Sequence, residues 1–318
     1  MEEIVPDFVD PSTDGPLPGK EGKWSLVTEY RVRLAMDARH WEEAERLESV
    51  LVGWNRQRAA PILARPPQTW SDAEKNAVRS LAVSLEGPAH IQREQGLAAC
   101  VDGYKEALAL VEKIADTHLA EVYAFNLGHA YKDLAEIRDL AVAEQWYRRS
   151  LDLCAKEDRM GQAGTLCQLG SVAREQFLDA RKAKRPSEEC AGHLSQAEKH
   201  YRQALAMLPP NTVSELATVH NQLGNVYDDA GQVDTALRHY RESIRYKEAM
   251  QDSFAAGKTR YNVAATLFRA RRFGDAREWA QSALRDYEAC ENAEEKVVMT
   301  LKLLELIESA LQAPSPPS

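Results

Sequence analysis

Amide side chains recur at one position of a repeated motif in this 318-residue sequence. Four of them directly precede the Leu or Val of that motif: Asn126, Gln168, Gln222 and Asn262. Because an amide carries both donors and an acceptor, a row of amides can pair with the backbone of an extended peptide. Alternatively, the amides satisfy one another or neighbouring carbonyl groups. Lys302 takes the same position near the C-terminus.

Charged and polar side chains follow on the same predicted helix faces, one or two turns away. They are Asn225, Asp133, Glu175, Asp229 and Arg269, with Lys258 one turn before Asn262. Their order predicts a ligand segment with basic residues in its middle and an acidic group near Lys258, Arg269 and Lys302. The alternative is that these charges form salt bridges at helix ends.

No candidate for a catalytic or metal-binding motif in this sequence has the residue spacing that such a motif requires. The segment from Gly15 to Lys20 has one residue too few between its glycines for a phosphate loop, and no Ser or Thr follows the lysine. Cys190 and His193, with His200 nearby, lack a second ligand pair of matching spacing for zinc. Neither a nucleophile elbow nor a His-Glu-x-x-His motif occurs. The sequence therefore predicts no enzyme, no cofactor and no metal site.

The side chains named above are positioned by a helical motif that recurs about every forty residues. The first helix of each copy carries Leu127-Gly128, Leu169-Gly170, Leu223-Gly224 or Val263-Ala264. The second helix carries a triplet: Ala143/Tyr147/Ser150, Ala197/Tyr201/Ala204, Ala236/Tyr240/Ser243 or Ala276/Ala280/Ala283. Small residues allow helices to approach closely, so each tyrosine is expected to pack into the gap left by a glycine.

Composition and charge narrow the function classes. The chain is 44% hydrophobic with a mean hydropathy of −0.49, and no apolar run approaches the roughly 18 residues of a membrane span. Five widely spaced cysteines suit free thiols, so a cytoplasmic location is expected. The net charge of −9 argues against a general nucleic-acid role. The segment from Arg238 to Arg285 contains eleven basic and five acidic residues. This excess of positive charge forms either a binding patch for an acidic partner or a solvated helix face.

Helical periodicity and breaks in it divide the chain into five segments. Residues 1–22 are expected to form a disordered tail or linker, and residues 313–318 a second disordered tail. Between them, the pattern predicts a divergent N-terminal repeat with its linker at 23–70, the repeat array at 71–288 and a capping helix at 293–312. The insertion at 177–195 and the Trp-rich N-terminal region are each either an interface or neutral packing.

The repeated Leu-Gly and small–aromatic–small positions resemble those of tetratricopeptide-repeat proteins, over about residues 26–311. The long repeats are similar to those of kinesin light chains and of sensor arrays on bacterial signalling NTPases. The resemblance implies an all-α superhelical array of about six helix-turn-helix repeats with a C-terminal capping helix. It also implies that the amides and charges named above line a concave groove for a protein or peptide segment. The expected function is a scaffold or adaptor; the alternative is a ligand-sensing module of a signalling protein.

Overall fold

The computed structural model describes residues 7–312 and contains two compact units, which divide between Lys156 and Glu157. The first unit contains α1 (Glu21–Asp37), α2 (Trp41–Leu63), α3 (Asp72–Glu94), α4 (Cys100–Lys113), α5 (Thr117–Asp133) and α6 (Leu140–Leu153). The second contains α7 (Arg159–Lys182), α8 (Ser187–Met207), α9 (Val213–Asp229), α10 (Val233–Ala249), α11 (Ser253–Arg269), α12 (Phe273–Glu288) and α13 (Glu294–Gln312). Within the described residues, the secondary structure is helical apart from one isolated bridge between Val9 and Pro16. The predicted all-α array of six helix pairs and a final helix is confirmed.

Close contact between a glycine and a tyrosine ring holds several of the helix pairs together. A Cβ atom added to Gly128 would lie 2.7 Å from the Tyr147 ring, and one added to Gly170 would lie 2.8 Å from the Tyr201 ring. Both tyrosines are buried. Burial of such a ring removes a large apolar area from water, so these contacts account for the recurrence of Gly and Tyr in the sequence.

The turn between α1 and α2 has the same backbone conformation as turns within two later helix pairs. α11 and α12 are joined through Arg271, whose φ of 59° lies in the left-handed region, and α1 and α2 are joined through Arg39 at φ 58°. Gly231 takes the same conformation between α9 and α10, at φ 73°. The sequence alignment of Arg39 with Arg271 therefore corresponds to a shared turn geometry.

The N-terminal segment differs from the expected tail where the structure describes it. Val9 is buried in one cluster with Trp24, Val32, Leu47 and Leu51 of α1 and α2. The Trp24 indole nitrogen donates a hydrogen bond to the backbone oxygen of Asp14 at 2.7 Å. Residues 7–20 therefore belong to the first unit, because an apolar anchor fixes them to its helices. Residues 1–6 and the predicted tail at 313–318 lie outside the described residues.

The insertion at 177–195 lengthens two helices and adds no long loop. α7 continues to Lys182 and α8 begins at Ser187, so only residues 183–186 connect them. A cavity of about 550 Å³ lies beside these extensions and is lined by Phe177, Leu194 and Tyr227, among others. The helical pattern therefore continues on both sides of Pro186.

Candidate functional site

The predicted row of amides lies on α5, α7, α9 and α11, half-buried in each case. In the first unit, the Asn126 side-chain oxygen accepts a hydrogen bond from Arg93 of α3 at 3.2 Å. The Asn126 amide nitrogen lies 3.5 Å from an oxygen of Glu86, also on α3. This amide therefore links one helix pair to the pair before it.

In the second unit, the amides also contact neighbouring side chains. The Asn262 amide nitrogen lies 3.5 Å from the side-chain oxygen of Asn221, which belongs to α9 of the preceding pair. Asn225 donates to Gln222 at 3.0 Å and accepts a hydrogen bond from the Tyr240 hydroxyl at 2.8 Å. These amides therefore pair with side chains across and within repeats. This matches the alternative stated above, that the amides satisfy one another or neighbouring groups.

Asp229, the most enclosed of the predicted acidic residues, is neutralised within its own unit. Its carboxylate pairs with Arg174 at 2.7 Å and Arg181 at 3.3 Å, both on α7. Glu175 accepts a weak hydrogen bond from Ser171 at 3.4 Å. In the first unit, Asp133 is more exposed and contacts His129 at 3.2 Å.

The three predicted basic residues are not brought together. Arg269 pairs with Asp228 of α9, and Lys302 is exposed on α13. Lys258 lies instead beside two lysines that the sequence did not single out, Lys247 of α10 and Lys296 of α13. The basic end of the predicted surface is therefore built from a different set of residues.

These three lysines line a cavity of about 330 Å³ in the second unit, which we call the lysine cavity. Its other lining residues are Asn221, Tyr261, Asn262, Tyr287 and Met299. Among the residues described by the structure, the lining set contains no acidic side chain. The lysine cavity is therefore rich in hydrogen-bond donors and carries positive charge.

Lys247 is the most enclosed of the three lysines. Its Nζ donates to the Thr259 hydroxyl at 2.6 Å, and that hydroxyl donates to the Asn221 side-chain oxygen at 3.1 Å. Burial lowers the pKa of Lys247 to about 8, although the charge of Asp252 opposes the shift. A buried ammonium with few partners favours an anion beside it, because the anion recovers the solvation that burial removed.

Lys258 and Lys296 form the more accessible part of the lysine cavity. The Lys258 Nζ lies 4.5 Å from the centre of the Phe254 ring, a cation–π contact that leaves the ammonium group's hydrogen-bond capacity largely unused. Lys296 lies 3.7 Å from Glu295, whose side chain is exposed. In the sequence, Lys258 was identified from its motif position and Lys247 lies in the basic segment from Arg238 to Arg285, but no pattern pointed to Lys296.

Solved structures with a similar fold support the reading of the chain as a tetratricopeptide-repeat array. BtubC (BKLC) from P. vanneervenii aligns with a TM-score of 0.54 and 17% identity, over 87% of this chain and 94% of that one. The apo form of RapI aligns with a TM-score of 0.55 and 12% identity, over 90% of this chain and 97% of that one. A Rap protein complexed with Competence and Sporulation Factor aligns with a TM-score of 0.50 and 13% identity, over 89% of this chain and 74% of that one.

Sequence comparisons add no narrower assignment. No family model matches the chain, and no curated protein matches it. Among the described residues, no helix has the length and apolar character needed to cross a bilayer. The helical array and its similarity to these solved structures show that the chain has the tetratricopeptide-repeat fold.

Proposed function

We propose that this protein is a non-enzymatic scaffold or adaptor that binds an extended segment of a partner protein. The lysine cavity carries the proposal: three lysines and two asparagines converge in the second unit, with no acidic residue among the described residues that line it. We propose that the lysine cavity binds a carboxylate of the partner segment, either that of an acidic side chain or that of the chain terminus.

The size and polarity of the lysine cavity support a peptide anchor over a small-molecule site. Small-molecule pockets are mostly apolar and enclose most of their ligand. At about 330 Å³, the lysine cavity suits one anionic group with its stem, and the rest of the ligand would lie outside it. Flanking residues of an extended segment would then lie along α9 and α11, where Gln222 and Asn262 present amides.

The fold supports complex formation in at least one protein of similar architecture. The Rap protein was solved complexed with Competence and Sporulation Factor, and it shares the fold at 13% identity. A helical array presents a preformed surface, so a partner can bind without chemistry at a catalytic centre.

Selection from a random peptide library with the full chain tests the proposal. We expect enriched peptides to share an Asp, a Glu or a free C-terminal carboxylate. Resynthesis with Asn, Gln or a C-terminal amide distinguishes these sources, and each neutral version should bind at least about tenfold more weakly. Affinity is measured by fluorescence anisotropy.

Two charge reversals locate the contact. Lys258→Glu should abolish binding of the enriched peptides, whereas Lys302→Glu, an equal change of charge outside the lysine cavity, should leave it within about twofold. Equal loss with both variants would show a diffuse charge effect and contradict the assignment. Enriched peptides without any common anionic group would contradict it as well.

A further inference from the structure

A second polar groove lies in the first unit, between α1, α2 and α3, with a volume of about 930 Å³. Glu48 of α2 lines this groove, although only 8% of its surface is exposed. Across residues 7–312, no Lys, Arg or His nitrogen lies within ion-pair distance of its carboxylate, and no hydrogen bond reaches it. A buried carboxylate without a partner is costly, so its presence calls for an explanation.

Asn55 provides a second and independent observation. It lies two turns after Glu48 on α2, lines the same groove and is also only 8% exposed. In the part of the chain that the structure describes, its amide has no hydrogen-bond partner. Two nearly buried polar side chains thus face one groove with unused hydrogen-bonding capacity.

Acceptor groups lie near Glu48, although three arginines and His90 also line the groove. Glu29 of α1 and Glu86 of α3 line the groove, and burial, with the charges of these two residues, raises the pKa of Glu48 to about 7. Pro88 has no amide hydrogen, so the carbonyl of Ser84 lacks its usual helical donor. The interior of the groove therefore offers negative charge and lone pairs to a donor.

Gly87 of α3 fixes the position of the Glu48 carboxylate. A Cβ atom added to Gly87 would lie 2.1 Å from the nearer Glu48 oxygen, so the two helices approach here only because the residue is glycine. The backbone of α3 closes one side of the carboxylate, and the groove lies open to it.

The arginines that line the groove do not neutralise Glu48. Arg79 pairs with Asp116 at 2.9 Å, and Arg33 and Arg58 are exposed. Apolar surface comes from Leu51, which is buried, and from the half-buried ring of Trp54. The groove therefore combines an acidic interior with an apolar wall.

We propose that this groove binds a basic side chain of an extended polypeptide. Its ammonium or guanidinium group would contact Glu48 and Asn55, and its alkyl stem would pack on Leu51 and Trp54. The site lies in the first unit, whereas the lysine cavity lies in the second, and its ligand carries the opposite charge. A test of this site is therefore independent of the proposed function.

Short peptides test the site in the full chain at pH 8. The probes are N-acetylated, C-terminally amidated Ala-Ala-Xaa-Ala-Ala peptides in which Xaa is Lys, Arg or norleucine, with affinities from isothermal titration calorimetry. The Lys or Arg peptide should bind at least about tenfold more tightly than the norleucine peptide. Glu48→Gln should remove that difference, and Glu42→Gln, an exposed change on the same helix, should preserve it.

A third variant covers the case in which Glu48→Gln does not fold. Glu29 is exposed, so Glu29→Gln leaves the core intact and should weaken the basic peptides by several-fold. Equal binding of norleucine and basic peptides, or full binding by the Glu48→Gln protein, would overturn the proposal. Absence of binding by both basic peptides at about 10 mM, roughly the limit of weak specific association, would overturn it too.

Discussion

Gly224 of α9 and the ring of Tyr240 on α10 are in such close contact that a Cβ atom on residue 224 would lie 2.5 Å from the ring. Tyr240 is buried, and its hydroxyl is held by Asn225 at 2.8 Å, so the ring has little freedom to move. The contact therefore sets the distance between the two helices.

We expect Gly224→Ala to destabilise the second unit by about 1–3 kcal/mol, because the added methyl group forces the helices apart. Thermal unfolding followed by circular dichroism measures the change. The matched control is Gly164→Ala on α7, where an added Cβ meets nothing within 4 Å. That variant should instead stabilise its helix by about 0.5–1 kcal/mol, so equal effects of the two substitutions would contradict the packing argument.

The fold could be predicted from sequence because contacts such as Gly224–Tyr240 join helices that are adjacent in the chain. Their residue types recur at fixed offsets, so the pattern itself reports the packing. The first unit was harder to predict, since its N-terminal segment is anchored by a few residues outside any helix, among them Val9 and Asp14. Isolated anchoring residues among prolines and glycines carry no periodic signal.

The candidate sites were predicted only in part, because burial and pairing depend on more distant contacts. Lys258 and Asn262 were identified from their motif positions. Lys247 lies at the end of α10, at a position for which the repeat motif specifies no residue type. Glu48 stands among other glutamates of α2 and resembles a surface residue in sequence. Only the approach of Gly87, thirty-nine positions later, buries it.

The predicted role of Asp229 in ligand binding can be tested separately from its role in stability. Its carboxylate is enclosed and paired with Arg174 and Arg181, so Asp229→Asn should destabilise the second unit by about 2 kcal/mol. Chemical denaturation measures this loss. We also expect peptides selected on the lysine cavity to bind Asp229→Asn within about twofold of the wild type.

Asp234→Asn is the control for that substitution, since Asp234 pairs with Arg272 while 92% exposed. Its effect on stability should be near zero. If Asp229→Asn left stability unchanged and weakened peptide binding, the sequence-based assignment of Asp229 to the ligand would be correct and the structural role would be wrong.

Lys247 should titrate near pH 8, well below an ordinary lysine, because burial disfavours its charged form. The folded pKa lies below the unfolded one, so the stabilising contribution of neutral Lys247 is present at high pH and is lost as pH falls through about 8. NMR of the side-chain Cε resonance measures the pKa directly. A bound carboxylate peptide should raise the pKa of Lys247, since an adjacent anion favours the ammonium form.

Lys258→Gln separates the two causes of this shift. It removes a neighbouring positive charge that also lowers the pKa of Lys247, so the pKa should rise modestly without ligand. In that variant the peptide-induced rise should be smaller than in the wild type. A pKa of Lys247 that peptide leaves unchanged would show that the anion lies elsewhere.

Glu48 gives the first unit a pH-dependent stability of defined sign. Its folded pKa of about 7 lies above the ordinary value of 4.5, because burial and the charges of Glu29 and Glu86 disfavour ionisation. The folded protein therefore retains a proton that the unfolded chain releases between these values. The stabilising contribution is fully present below about pH 4.5 and is lost as pH rises through about 7.

We expect Glu48→Gln to remove this dependence, so that the variant gains up to about 3 kcal/mol relative to the wild type between pH 4.5 and pH 8. Urea unfolding followed by tryptophan fluorescence is suitable, because five of the six tryptophans lie in the first unit, and Trp279 is the exception. Glu42→Gln, exposed on the same helix, should track the wild type at every pH. If Glu48→Gln also tracked it, Glu48 would be solvated or already paired, and the driving force for capturing a basic side chain in that groove would be absent.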